Sequence, residues 1–151
     1  MEWNMDILQG VQRYESAITR AFWEEIFGRL RGKPVHLLNF EEERARLGLW
    51  KELYVGLQDV PLAAIVGSVG RHQDFTRSFL PKSGGVNKDR WSRVFAETVG
   101  KTGLPPVELY KVNDVYFVRD GNHRVSVARD MGSDRIEAYV TELTALENID
   151  D

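Results

Sequence analysis

Val115-Tyr116-Phe117-Val118 constrains the fold more than any other segment of the chain. Every position is β-branched or aromatic, so a strand built from it presents apolar side chains on both faces. Such a strand belongs in the interior of a sheet with a further layer packed on each side. Val107-Glu108-Leu109-Tyr110-Lys111 precedes it with a similar composition, and Asn113-Asp114 lies between the two, so the pair reads as a hairpin. Helices must supply the covering layers. The expected class is therefore α/β, of the α+β kind: a small mixed sheet with flanking helices.

From about Asp6 to Leu30 there is no proline, and Val11, Tyr14, Ile18, Ala21, Phe22 and Ile26 recur at helical spacing. Gly32 and Pro34 stop this helix, and Asn39 followed by Phe40-Glu41-Glu42-Glu43 gives an N-cap and an acidic first turn for a second one, reaching Leu47 or Trp50. Residues 1–55 thus read as an N-terminal helical extension, joined through Tyr54-Val55-Gly56-Leu57 to a domain over 56–151. In that domain Val60, Leu62 and Ile65-Val66 suggest a short strand, and Gly67-Ser68-Val69-Gly70-Arg71 a turn that is a candidate binding loop. Pro81-Lys82-Ser83-Gly84-Gly85 is a second loop. Asn87 caps a helix with Trp91, Val94, Phe95 and Val99 on its apolar face, and Ile136, Ala138 and Val140 alternate as a last strand. The stripe on the first helix is too long to leave wet, so that helix is expected either to lie as a lid on the domain or to pair two copies in a homodimer.

Composition removes several classes of function. The 151 residues include no cysteine, which excludes disulfides, thiol nucleophiles and zinc–thiolate centres. Twenty Lys and Arg against 23 Asp and Glu give a formal charge of -3, a poor footprint for autonomous DNA binding, and no basic helix-turn-helix is evident. No apolar run has the length of a membrane span and Met1-Glu2-Trp3-Asn4-Met5-Asp6 does not resemble a signal peptide, so a cytoplasmic location is expected. His36 and His72 are far from any carboxylate pair at ligand spacing, and no structural metal is expected. Glu41-Glu42-Glu43 reads as a solvated helix start, and Trp23, Trp50 and Trp91 as core or interface anchors.

The chemistry concentrates in Val118 to Gly132, where a strand ends at a glycine turn and a helix begins at once. Asn122 reads as the N-cap, Val125, Ala128 and Met131 as a packing stripe, and Gly132 as the stop. A helix start normally gathers acids, because its free N–H groups and dipole favour negative charge. Here the first turn carries His123 and Arg124. Two readings stand at this point. In one, an anion sits between these side chains and the backbone N–H groups, as in a phosphate site. In the other, Asp120 pairs with Arg124 across the turn and His123 bonds a nearby carbonyl. Arg71, Arg77, Lys82 and Lys88 gather around the two glycine loops, and Arg71, after a glycine pair at a strand end, is the best placed to meet a phosphate.

Val60-Pro61-Leu62, the helix around Trp91 to Val99, Pro105-Pro106-Val107 and above all Gly121-Asn122-His123-Arg124 carry a resemblance. Over about Val60 to Leu146, a little more than half its length, the chain resembles the superfamily that joins the N-terminal domain of ParB partition proteins with sulfiredoxin. Sulfiredoxin has Gly-Cys-His-Arg at the motif, with a catalytic cysteine, and its His and Arg hold nucleotide phosphates. Asn122 stands in the cysteine's place, which excludes sulfiredoxin activity and keeps the phosphate-holding half of the motif. ParB domains bind CTP and have a similar Gly-x-Arg-Arg segment with an upstream arginine loop, to which Ser68-Val69-Gly70-Arg71 corresponds loosely. A third branch, nucleotide-using free-serine kinases, carries Asp-Gly-His-His-Arg, close to Asp120-Gly121-Asn122-His123-Arg124.

The resemblance implies a nucleotide, ATP, ADP or CTP with Mg²⁺, held by Gly121, Asn122, His123 and Arg124 with help from Arg71 and Ser68. Its output differs between the branches. In an enzyme the terminal phosphoryl group would be transferred or hydrolysed, with Asp120 as the catalytic group holding the metal or taking a proton. In a binding module the nucleotide would order the Arg71 loop and control assembly or DNA association. A member with no ligand would serve as an interaction domain.

Overall fold

The computed structural model describes residues 2–100 and 103–146; the parts of the two expected segments at residue 1 and at 147–151 lie outside them. In chain order the elements are α1 (Glu2–Leu30), β1 (Leu38–Asn39), α2 (Phe40–Leu47), β2 (Lys51–Pro61), a 3₁₀ turn (Leu62–Ala64), β3 (Ile65–Ser68), α3 (Lys88–Val99), β4 (Val107–Val112), β5 (Val115–Asp120), α4 (Asn122–Asp130) and β6 (Arg135–Thr144). The six strands form one mixed sheet in the order β1-β3-β5-β4-β6-β2. β1 pairs with β3 and β3 with β5 in parallel, β5 and β4 form the antiparallel hairpin, β4 and β6 are parallel, and β6 and β2 antiparallel. Among the described residues no helix is long and apolar enough to cross a membrane.

β5 lies inside the sheet, and its pleat divides its apolar side chains between two cores, as expected for a strand apolar on both faces. Tyr116 and Val118 join the larger cluster with Trp91 and Phe95 of α3, Val125 of α4 and Ala17 and Ala21 of α1. Phe117 joins the smaller one on the opposite face, with Phe40 at the start of α2. Phe40 stacks on Tyr110 at 4.6 Å between ring centroids and meets Phe117 edge-on at 5.6 Å. Asn39 caps α2 as expected, its side chain accepting from the Glu41 N–H at 3.0 Å. Asn87 caps α3 in the same way through the Arg90 N–H at 3.0 Å.

Several expectations need correction. The N-terminal part does not stand apart as a helical extension: β1 pairs with β3, Ala17 and Ala21 lie in the main core, and the expected boundary at 55/56 falls within β2. Tyr54-Val55-Gly56-Leu57 is no connection but the middle of that strand, with a bulge between Tyr54 and Gly56. β2 is an edge strand with both faces largely exposed, so its sequence carries no apolar alternation to reveal it. Gly67-Ser68 closes β3 rather than forming a turn. A Cβ on Gly67 would fall 2.5 Å from both the Leu38 carbonyl oxygen and the Phe117 ring, so glycine is what lets β1 and that ring approach β3.

The buried face of α1 matches the expected stripe only in part: Tyr14 and Ala21 face the core, but Gly10 and Ala17 join them and Phe22 does not. Gly10, Ala17 and Ala21 are buried, whereas Phe22 is 58% exposed. The small residues let α1 lie close on α3, and Tyr14 on the same face donates to the Val86 carbonyl at 2.6 Å and packs 5.9 Å from the Trp91 ring. Arg13 fixes the other contact of this helix: its Nε donates to the carboxylate of Asp130 at 2.9 Å and its Nη2 to the carbonyl of the same residue at 2.9 Å. Arg20 reaches that buried carboxylate as well. Of the tryptophans, Trp91 is fully buried and donates to Ser126 Oγ at 3.0 Å, while Trp23 and Trp50 are exposed.

Candidate functional site

The site lies where β5 hands over to α4. Gly121 is the N-cap, at φ 111° and ψ 27°, and no side chain caps the helix. Asn122, expected to be that cap, is the first helical residue instead. Its Oδ1 accepts from Ser68 Oγ at 2.8 Å, and Ser68 Oγ in turn accepts from the Arg71 backbone N–H at 3.3 Å. One fully buried hydroxyl thus ties the end of β3, the start of α4 and the Arg71 loop together. Ser68 links the three segments that meet here, with its hydroxyl already engaged by Asn122 and the Arg71 N–H.

Arg71, Arg90, Val94, Asp120, Gly121, Asn122, His123 and Arg124 line an open cleft of about 250 Å³ at this point. The first intrahelical bond runs from the Val125 N–H to the Gly121 carbonyl at 2.9 Å, so the amides of Asn122 to Arg124 are the orphan donors of the helix start. His123 is 7% exposed, packs edge-on against Phe75 at 5.7 Å, and has an enclosed Nε2 with no hydrogen-bond partner. An unpartnered polar atom inside a protein costs free energy, and a site that receives a ligand is one explanation for its persistence.

The two basic residues of the first turn differ in charge. Burial, then the nearby Arg90 and Arg71, push the His123 pKa down to about 4, with Asp74 acting weakly the other way. His123 is therefore a neutral imidazole at pH 7, not a second cation. Arg124 follows the reading in which it pairs with Asp120: its Nη2 donates to that carboxylate at 3.0 Å, and its Nη1 to the Pro105 and Pro106 carbonyls at 2.9 and 3.0 Å. Its terminal nitrogens hold the segment before β4, while its charge still faces the cleft. Asp120 is its exposed partner, with two thirds of its side chain open to solvent.

The sequence did not single out Arg90. It lies in the first turn of α3, three residues after the Asn87 cap, and only the packing of α3 beside α4 brings it to the cleft. Arg71 reaches the cleft as expected, but its Nε is held by Asp74 and its Nη2 lies 3.4 Å from the Gly85 carbonyl. The other loop cations go elsewhere. Lys82 pairs with Glu25 at 3.4 Å, Lys88 with Glu15 at 3.9 Å, and Arg77 lines a different cleft. Among the described residues no three His, Asp or Glu gather as a metal site.

The His123 environment sets a pH dependence. Its folded pKa of about 4 lies below the 6.5 of an exposed imidazole, so the folded state binds fewer protons between those values. The stability that rests on a neutral His123 is present above pH 6.5 and is lost as the pH falls toward 4, by about 3 kcal/mol in all. Urea unfolding at pH 7 and pH 4.5 should show this loss in the wild type and a much smaller one in His123→Gln. Equal losses in both proteins would show that His123 is not the buried neutral group.

No family model matches the chain. No curated protein matches it either. Among solved structures, the crystal structure of sulfiredoxin from Arabidopsis thaliana is similar at a TM-score of 0.42 and 16% identity, over 56% of this chain and 82% of that one. A likeness of that degree carries nothing about ligand or chemistry to this chain.

Proposed function

We propose that the cleft at the start of α4 binds the phosphate groups of a nucleotide. The observation that carries this reading is the enclosed, unpartnered Nε2 of His123 beside an uncapped helix start, with Arg71 and Arg90 bringing positive charge from two other elements. Each part alone has ordinary explanations; an anion satisfies all three at once. A cleft of about 250 Å³ suits one or two phosphate groups, leaving the sugar and base to lie outward over the rim.

Asp120 is the one carboxylate lining the cleft, so Mg²⁺ would arrive with the phosphates, held by them and by Asp120. Arg71 and Arg90, rather than His123 and Arg124, would balance charge on a phosphoryl group in transfer. A switch has a specific observation in its favour: Asp74 and the Gly85 carbonyl compete for the Arg71 guanidinium, so a phosphate that captures it must release the loop they belong to.

ATP, ADP, CTP and GTP, each with and without Mg²⁺, are expected to raise the melting temperature, because a ligand at 100 times its Kd adds about 2.7 kcal/mol. Phosphate release by the wild type and by Asp120→Asn then separates the outputs. Turnover abolished in the variant marks an enzyme, and tight binding without turnover marks a switch. No shift with any nucleotide would sink the reading.

A further inference from the structure

A second cleft, of about 520 Å³, lies between the C-terminal end of α1, the 3₁₀ turn with β3, the segment around Arg77 and the C-terminal end of α4. Four cations line it, Arg31, Lys33, Arg77 and Arg129, against one carboxylate, Glu24. They come from three separate parts of the chain, Arg31 and Lys33 from the segment after α1, Arg77 from the loop after β3 and Arg129 from α4, so no local sequence motif accounts for their meeting. The chain as a whole carries a formal charge of -3, which makes the local excess more telling. Among the described residues Arg129 makes neither an ion pair nor a side-chain hydrogen bond, although it is half-buried, and burial draws its pKa down. Glu24 attracts Arg129 and works against the effect of burial, but as the one carboxylate lining the cleft it offsets only one of the four charges. One of its oxygens accepts from Ser78 Oγ, and the other, Oε2, is enclosed and without a partner. Phe27, with the Arg31 guanidinium 5.8 Å from its ring centroid, supplies an aromatic wall.

We infer that this cleft is a second binding site, for an organic phosphate monoester with an aromatic or apolar body, its phosphate held by Arg31, Lys33, Arg77 and Arg129. A hydroxyl or amine on the same ligand would satisfy Glu24 Oε2. The volume lies within the range of small-molecule sites, and guanidinium groups match phosphate geometry in pairs. The site is separate from the cleft at the start of α4: Arg129 follows Asn122 by seven residues, about 10 Å along the helix. It stands whether or not a nucleotide binds there.

The test is calorimetric titration of the whole protein with phenyl phosphate, and with phenol as the uncharged comparator, at low ionic strength. The background is Arg71→Ala/Arg90→Ala, which disables the other cleft. Saturable binding of phenyl phosphate is expected, weakened at least about tenfold when Arg31→Ala and Lys33→Ala are added. Both of these side chains are exposed, so the fold should survive their loss; Arg129→Gln, checked by circular dichroism, should weaken binding as well. No saturation at millimolar concentration, equal affinity for phenol, or binding indifferent to these substitutions would overturn the inference.

Discussion

Gly121→Ala is expected to destabilise the protein by about 2–6 kcal/mol and to disable the cleft at the start of α4. Two independent costs add. At φ 111° an L-residue is strained, a penalty of about 1–3 kcal/mol. The new Cβ would also lie 2.5 Å from Val107 Cγ1 and 3.2 Å from Arg124 Nη2, and forcing that contact costs about 1–3 kcal/mol more. Relief comes only by moving α4 away from β4, which pulls the Asn122–Arg124 amides and the Ser68–Asn122 bond out of place. Urea unfolding reads the first effect, and loss of nucleotide-induced melting shifts the second. A destabilisation below about 1 kcal/mol would mean that the turn relaxes easily and does not set the position of the helix start.

Replacing Arg71 and Arg90 together by alanine is expected to weaken phosphate binding about a hundredfold or more while leaving stability nearly unchanged. Arg90 is exposed and the Arg71 side chain is 38% exposed and packs mainly through its pair with Asp74, so little apolar packing is lost with them. Their value lies in charged hydrogen bonds to an anion, each contributing about 1.5–3 kcal/mol. Arg71→Ala should be the more damaging single change, because it also frees the Asp74 carboxylate from its partner. Asp74→Asn should act in the opposite direction and tighten binding, since it removes the competitor for Arg71. The four proteins, titrated with pyrophosphate in a calorimeter, give the order directly. Tighter binding in Asp74→Asn is the more discriminating result, because a merely damaged site cannot produce it.

The residues that were legible in the sequence are those whose environment is set by their neighbours in the chain. Phe117 between Tyr116 and Val118 announced an interior strand, and Asn39 and Asn87 announced helix starts by ordinary capping. What was not legible depends on contacts distant in sequence. Asn122 has a good cap side chain, but Ser68, 54 residues earlier, takes its oxygen, and the cap passes to Gly121. In α1 the large apolar side chains outweighed Gly10 and Ala17, although a close approach to α3 requires Gly10 to face inward. The neutrality of His123 was hidden for the same reason: its burial and the approach of Arg90 are tertiary. The sequence places two basic residues in the first turn, and the fold leaves one of them uncharged and the other tied to Asp120 and two carbonyls.

The most direct test of phosphate binding at the start of α4 is to follow the backbone amide resonances of Asn122, His123 and Arg124 while ATP or pyrophosphate is added to the wild type at pH 7. Those three N–H groups are free to bond an anion, and a phosphate oxygen accepting from them must move their proton shifts. The account predicts saturable shifts at these amides, accompanied by movement of Arg71 and Asp74 and by a rise in the His123 pKa as the anion offsets the two arginines. If all three amides stay in place at millimolar ligand, or if the perturbations fall only on residues away from Gly121, the cleft does not hold phosphate.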